Sequence, residues 1–276
     1  VSRLFWLSLV ALFAELIPPH SAQARPQKVI SLNLCADQLL QSLADQEQIL
    51  GVSPLARDPT LSVLAAEARS LPVITPKSEA VFEARPDLVL MAPYEHRLLR
   101  DHLLQEGIEI FMLPAWTDLT EGERHIKALA QKLEQQARGD ALIESIRKAL
   151  YESRLKPIDP TRSTLEIERR LYTPGHTSQI AALLDKWHIP NLADQLNMQG
   201  GGFVALEKLV MLKPERLIIS NGADNPKEGD DMGLALLRHP ALAQHAIKTI
   251  ALPTRLTLCG GPSTPALIAA LSDALR

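Results

Sequence analysis

Aromatic residues make up only 4% of this 276-residue chain, too few for a broad aromatic platform of the kind on which carbohydrates stack. No long run of one charge occurs, and 29 basic against 32 acidic residues leave a formal net charge of −3, which argues against a nucleic-acid partner. No apolar stretch approaches the roughly 20 residues of a membrane span. The sequence also lacks a Gly-x-Ser-x-Gly elbow, a His-Glu-x-x-His pair and a Gly-Lys-Ser/Thr phosphate loop, so no enzyme reading has a motif to stand on. Gly200-Gly201-Gly202 has no lysine and helix after it and reads as a flexible loop ahead of Phe203. Histidines 96, 102, 125, 176, 188, 239 and 245 are scattered. A bare zinc or manganese receptor would need about four converging ligands, and that class and a two-lobed metalloenzyme are the alternatives.

Only two cysteines are present, Cys35 and Cys259, and two lone thiols make a poor metal cage. Bridged, they would close almost the whole chain into one loop. A disulfide, two unpaired cysteines and contact with a ligand all remain open readings.

Residues 1–24 resemble a secretory signal peptide, with Arg3, the apolar run 4–14 and the small-residue end Ala22-Gln23-Ala24. The expected mature chain begins near Arg25, has no cysteine placed to accept a lipid anchor and is exported in soluble form. Its length suits one large or two modest domains, and 46% hydrophobic content is ample for a packed core.

One unit occurs twice. A glutamate is followed seven residues later by a basic-Pro-acidic triplet and an apolar run, at Glu79 with Arg85-Pro86-Asp87 and again at Glu207 with Lys213-Pro214-Glu215. The same 128-residue spacing separates Glu79 from Glu207 and Pro86 from Pro214. Each copy predicts a short helix stopped by the proline and then a buried strand.

Around these units strands alternate with helices. Strands are expected at 29–34, 50–53, 73–74 and 109–113, and helices at 36–44, 61–69 and 95–105, the pattern of a parallel sheet with helices on both faces. Residues 120–156 break the rhythm with apolar residues at helical spacing and predict one long helix, bent at Gly139 and ended by Pro157 to Pro160. A strand at 164–172 then opens a second lobe, in which 178–187 repeats the helix of 37–46. The expected fold is α/β, two Rossmann-like lobes with parallel sheets joined by one long α-helix, with a ligand cleft between the lobes. Its parts are the N-terminal lobe 25–118, the linking helix 119–157 and the C-terminal lobe 158–276.

The opening Val29-Ile30-Ser31-Leu32-Asn33-Leu34, the Arg85-Pro86-Asp87-Leu88-Val89 unit, the stretch 175–191 with Leu183-Leu184, and Leu206-Glu207 with Lys213-Pro214-Glu215 together resemble the helical-backbone periplasmic binding proteins of ABC importers. That group captures iron-siderophores, haem and cobalamin. The resemblance runs from about residue 29 to the C-terminus. It implies a monomeric periplasmic receptor that holds a metal chelate between lobes of small relative motion and delivers it to a permease dimer, with neither catalysis nor a resident cofactor.

In doubly wound lobes ligands lie outside the carboxyl ends of the strands, which selects the loops 33–35, 54–57, 93–95, 115–117, 173–176, 220–223 and 258–261. Tyr94, Trp116 and His176 are the first candidates for ligand contact, since rings cover the apolar face of a chelate or corrin while polar groups fix its orientation. Phe203 would add a rim contact, and Arg57 and Arg255 could pair with an anionic chelate. Tyr94, Trp116 and Phe203 could equally pack in the core, and the arginines could be solvated. For Glu79 and Glu207 the resemblance implies docking to arginines of the permease. Both also stand where a carboxylate suits a helix start.

Overall fold

The computed structural model describes residues 25–155, 157–198, 200–220, 239–240 and 247–276. The expected signal peptide and most of the 220–223 loop lie outside them. The N-terminal lobe is a parallel sheet of β1 (Val29–Ser31), β2 (Ile49–Gly51), β3 (Leu88–Met91) and β4 (Glu109–Met112) in the order β2-β1-β3-β4. Helices α1 (Leu34–Leu43), α2 (Ser78–Ala84) and α3 (Arg97–Gln105) connect them. The C-terminal lobe has β5 (Thr164–Ile167), β8 (Arg216–Ile219) and β9 (Lys248–Ala251) in parallel, and a small antiparallel ribbon of β6 (Tyr172–Thr173) with β7 (Gly202–Phe203). Its helices are α6 (Gln179–Lys186), α7 (Leu206–Leu212), the one-turn α8 (Thr254–Thr257) and α9 (Thr264–Leu275).

The repeated triplet has one structural meaning in both lobes. Arg85 and Lys213, with φ of 51° and 47°, end α2 and α7 in the left-handed conformation, and the proline that follows each cannot continue the helix. The acidic residue after the proline then holds the start of the neighbouring strand. Asp87 accepts from the backbone N–H of Gln27 and Lys28 at 2.8 and 3.0 Å. Glu215 accepts from the Ser163 N–H at 3.0 Å.

Between the lobes the single helix expected over 120–156 is two helices, α4 (Leu119–Lys132) and α5 (Gln136–Arg154). The break falls at 133–135, where Glu134 has φ of 55°, and not at Gly139. Gly139 instead lets the helices meet, since a Cβ there would lie 2.6 Å from the Ala130 Cβ. A bidentate Arg147–Glu123 pair, at 2.6 and 2.9 Å, closes the outer side of this hairpin. The 19-residue α5 is the long connecting helix of the two-lobed fold. Residues 61–69, expected as a helix, form turns leading into a 3-10 helix at Glu67–Ser70, and Val73 makes only an isolated bridge to Val52.

One apolar cluster runs through both lobes, joining Leu39 and Leu40 of α1, Ile126 and Leu129 of α4, Ile143 of α5, Leu183 of α6 and Leu271 of α9. Close packing of that kind resists large relative motion of the lobes. Among the described residues no helix is long and apolar enough to cross a membrane.

Candidate functional site

A cleft of about 150 Å³ lies between the lobes, walled by the segments that follow β1, β4, β6 and β9 and by the end of β5. These are the carboxyl ends of the strands, the place the doubly wound topology assigns to ligands. The volume is small beside the roughly 300–1,000 Å³ of ordinary ligand pockets, so a chelate seated here would protrude. A wider groove of about 700 Å³ is lined by α5, α9 and the residues just beyond their ends, and by no strand residue.

The floor is covalent. Cys35, in the first turn of α1, is bonded to Cys259 in the loop between α8 and α9, with Cα atoms 5.1 Å apart. Both residues line the cleft, so the bridge ties the N-terminal lobe to the C-terminal segment there. Trp116 forms the adjoining wall. It is only 7% exposed, because its ring lies against two glycines. A Cβ at Gly260 would come within 2.1 Å of the ring and one at Gly122 within 2.3 Å. Asn33 then fixes the loop edge. Its side-chain oxygen accepts from the Ala36 N–H at 2.9 Å and caps α1, while its Nδ2 donates to Glu95 at 3.0 Å.

The C-terminal wall carries Glu166 and Glu168. Glu166 is 2% exposed and accepts from the hydroxyls of Ser178 at 2.5 Å and Ser220 at 2.8 Å. Burial pushes its carboxyl up to about 7, against the lowering effect of those two hydroxyls, and the charge of nearby Glu168 pushes the same way as burial. Asp37 is also buried and pushed up to about 7 by desolvation. It accepts from the Ser53 N–H and hydroxyl at 2.9 and 2.6 Å and does not line the cleft. Among the described residues no group of three or more His, Cys, Asp and Glu is placed to hold a metal ion.

A family profile described as periplasmic binding protein matches residues 29–249. The chain belongs to that family. Membership implies a periplasmic location, and the family consists of binding proteins. No protein of curated function matches the sequence. Among solved structures, the fold is similar to a periplasmic haem-binding protein from Pseudomonas aeruginosa, at 22% identity and a TM-score of 0.70, over 91% of this chain and 92% of that one. It is similar to the haem-binding protein HutB of Vibrio cholerae at 15% identity and a TM-score of 0.73, over 91% and 99%. CeuE of Helicobacter pylori, in a nickel–histidine complex, superimposes at 19% identity and a TM-score of 0.69, over 92% and 84%.

Within this periplasmic binding protein the structure distributes the sequence candidates unevenly. Trp116 alone of the six contact candidates lines the cleft. Tyr94 is 73% exposed on the loop that Asn33 anchors through Glu95. Phe203 is 67% exposed and meets Tyr172 edge to face at 5.3 Å. His176 is engaged by Asp194 at 2.7 Å. Arg57 is not turned toward a ligand, since its guanidinium donates to the carbonyls of Ala68 and Leu71 at 3.2 and 2.5 Å and holds the 61–71 turns together. Arg255 is partly buried on α8, next to the lining but outside it. Glu79 and Glu207 are exposed in the first turns of α2 and α7, one on each lobe. Glu166 and Glu168 were not anticipated. The signal for Glu166 was available, since it is an acid inside the otherwise apolar strand sequence Thr-Leu-Glu-Ile, a position that is expensive unless used.

Proposed function

We propose that this chain is the substrate-binding component of an ABC importer, capturing a metal chelate, an iron-siderophore, haem or a corrinoid such as cobalamin, and delivering it to a permease dimer in the inner membrane. The observation that carries this is the interlobe cleft at the strand ends, walled by the Trp116 ring and floored by the Cys35–Cys259 bridge. Family membership and the haem-binding solved neighbours support it. Trp116 would face the chelate, with Tyr94 and Phe203, both solvent-exposed, meeting the part that protrudes. Glu79 and Glu207 would engage arginines of the permease as matched anchors, which act through steering and register as much as affinity. The protein would act as a monomer. Among the described residues no ligand cluster favours the bare-metal or the metalloenzyme alternative. Native mass spectrometry with absorbance, after incubation with haem, ferric siderophores and cobalamin, tests the proposal. One chelate retained per chain and lost on Trp116→Ala supports it, and retention of none sinks it.

A further inference from the structure

We infer that the Cys35–Cys259 bridge is a thiol–disulfide exchange site opened from the cleft by a dithiol, and that opening it lowers the affinity of the cleft for its ligand. The exchange stands by itself, and the loss of affinity rests on the chelate-binding proposal. Both cysteines line the cleft, so a ligand and an attacking thiol meet the same wall. The two sulfurs are not equally open. Cys35 is partly exposed and Cys259 only 2% exposed, so the nucleophile reaches the sulfur of Cys35. A thiolate of the dithiol bonds to that sulfur, the S–S bond breaks, and Cys259 leaves with the electron pair and takes up a proton. The second thiol of the dithiol, deprotonated, then attacks its own partner sulfur in the mixed disulfide and Cys35 leaves in turn. Two electrons pass to the cystine, and the dithiol ends as a disulfide. Cys35 suits that last step, because it sits in the first turn of α1, where N–H groups and the helix dipole stabilise a thiolate.

The bridge fastens a seam on which the Trp116 wall depends. Three consecutive residues of the loop after α8 each meet the N-terminal lobe. Cys259 is bonded to Cys35, Gly260 lies so close to Trp116 that a Cβ would overlap the ring, and a Cβ at Gly261 would fall 2.8 Å from Leu39. Behind them the Thr264 hydroxyl accepts from the Gly261 N–H at 3.0 Å and donates at 3.0 Å to the side chain of Gln179, which also lines the cleft. Of the three contacts only the bridge is covalent. Opening it frees the loop to draw back from Trp116. Helix α9 stays in place, because Leu267, Ile268 and Leu271 are buried in the cluster shared by both lobes. The site loosens while the fold persists.

The test has two arms. In the first, native protein without ligand is exposed to dithiothreitol at about pH 8, close to the ordinary thiol pKa of about 8.5. Samples are quenched with iodoacetamide, and mass spectrometry counts the alkylated cysteines. Opening should speed up in proportion to the dithiol concentration without denaturant. A rate that ignores the concentration, being set by unfolding of the chain, overturns the inference and leaves the chelate proposal intact. In the second arm the opened protein, desalted without air, is compared with the oxidised protein. The probes are gallium protoporphyrin, a gallium trihydroxamate and cyanocobalamin, gallium being a metal that residual thiol does not reduce. Whichever probe the oxidised protein binds, the opened form should bind at least about tenfold more weakly, with unchanged far-ultraviolet dichroism and with recovery on reoxidation. Cys35→Ser with Cys259→Ser should bind like the opened form and ignore the dithiol. Equal affinity in the two forms, or loss of the fold on opening, overturns the inference. Binding of no probe by the oxidised protein overturns the chelate proposal and the loss of affinity with it.

Discussion

Replacing Asp37 with asparagine should flatten the dependence of stability on pH. Asp37 is fully buried, and desolvation raises its carboxyl from 3.8 to about 7. Glu166 is raised from 4.5 to about 7 by the same cause. Both folded values lie above the unfolded ones, so the folded chain holds these protons more tightly than the unfolded chain. The resulting stabilisation is complete below about pH 4 and is lost as pH rises through about 7. At about 1.4 kcal/mol per unit, Asp37 accounts for roughly 4–5 kcal/mol and Glu166 for roughly 3–4 kcal/mol across that window. For a domain of this size that is on the order of 10 °C in Tm per group. His125, which burial holds below its ordinary value, works with opposite sign, its stabilisation being lost as pH falls. It is present in both proteins and cancels in the comparison. Asp45 and Asp159, both lowered by hydrogen bonding, act below pH 4. Thermal unfolding of wild type and Asp37→Asn at half-unit steps from pH 4.5 to 8.5 should therefore give curves that lie closest at the acid end, where Asp37 is protonated and neutral like the amide, and separate toward the alkaline end, where wild type alone buries a charge and loses stability relative to the variant. Parallel curves would refute the reasoning, because they would mean that Asp37 ionises in the fold as easily as in the unfolded chain.

Cys35→Ser with Cys259→Ser should lower Tm by roughly 10 °C, since a bridge across 224 residues stabilises by up to about 5 kcal/mol in the chain-entropy account; titration of two reactive thiols in the unreduced wild-type protein would contradict the bridge itself. Gly260→Ala should destabilise by about 1–3 kcal/mol and weaken chelate binding, because the new Cβ displaces Trp116; unchanged near-ultraviolet dichroism of the tryptophan would show that the ring does not need that glycine. Glu79→Ala with Glu207→Ala should abolish uptake into cells while leaving chelate affinity unchanged, and normal uptake would leave the two glutamates as helix-start residues worth about 0.3–1 kcal/mol each.

The fold was legible where a local signal and a tertiary need coincide. The Pro86 and Pro214 triplets could be read as stops from sequence because the left-handed cap, the proline and the strand-holding acid are consecutive residues. The break between α4 and α5 was not legible, since the residues that make it, Leu133, Glu134 and Gln135, include neither glycine nor proline. Gly139 looked like the breaker and is instead a contact point, a use of glycine that depends on where Ala130 of the other helix sits. The turns over 61–71 likewise take their form with carbonyls claimed by Arg57, a long-range bond that apolar spacing does not encode. At the cleft, the rule of strand ends pointed to loops that wall it, 33–35, 115–117, 173–176 and 258–261, and also to 54–57 and 93–95, which do not line it. Tyr94 and Arg57 sit on those loops without lining the cleft, Tyr94 exposed on the loop that Asn33 anchors and Arg57 bonded to backbone carbonyls outside its own loop.

Glu166 shows how two similar lobes give a one-sided cleft. Ser31 pairs in register with Leu90 and Glu166 with Ile218, and since Leu90 and Ile218 are one repeat apart, Ser31 and Glu166 occupy the same rung of equivalent strands. Across from them stand Asp37 of α1 and Ser178, the N-cap of α6. In the C-terminal lobe the strand residue is the acid and the helix residue the hydroxyl. In the N-terminal lobe the roles are exchanged, with the Ser31 hydroxyl bearing on Asp37. Either arrangement lets an acid and a hydroxyl meet where the chain passes from strand to helix. They differ in where the acid ends up. The strand-borne Glu166 reaches the cleft, while the helix-borne Asp37 is directed to Ser53 behind it. The exchange therefore leaves the acid on the C-terminal wall of the cleft, while the residues of α1 and of the loop after β4 that line it, Cys35, Leu39, Leu113, Pro114, Ala115 and Trp116, carry no charge.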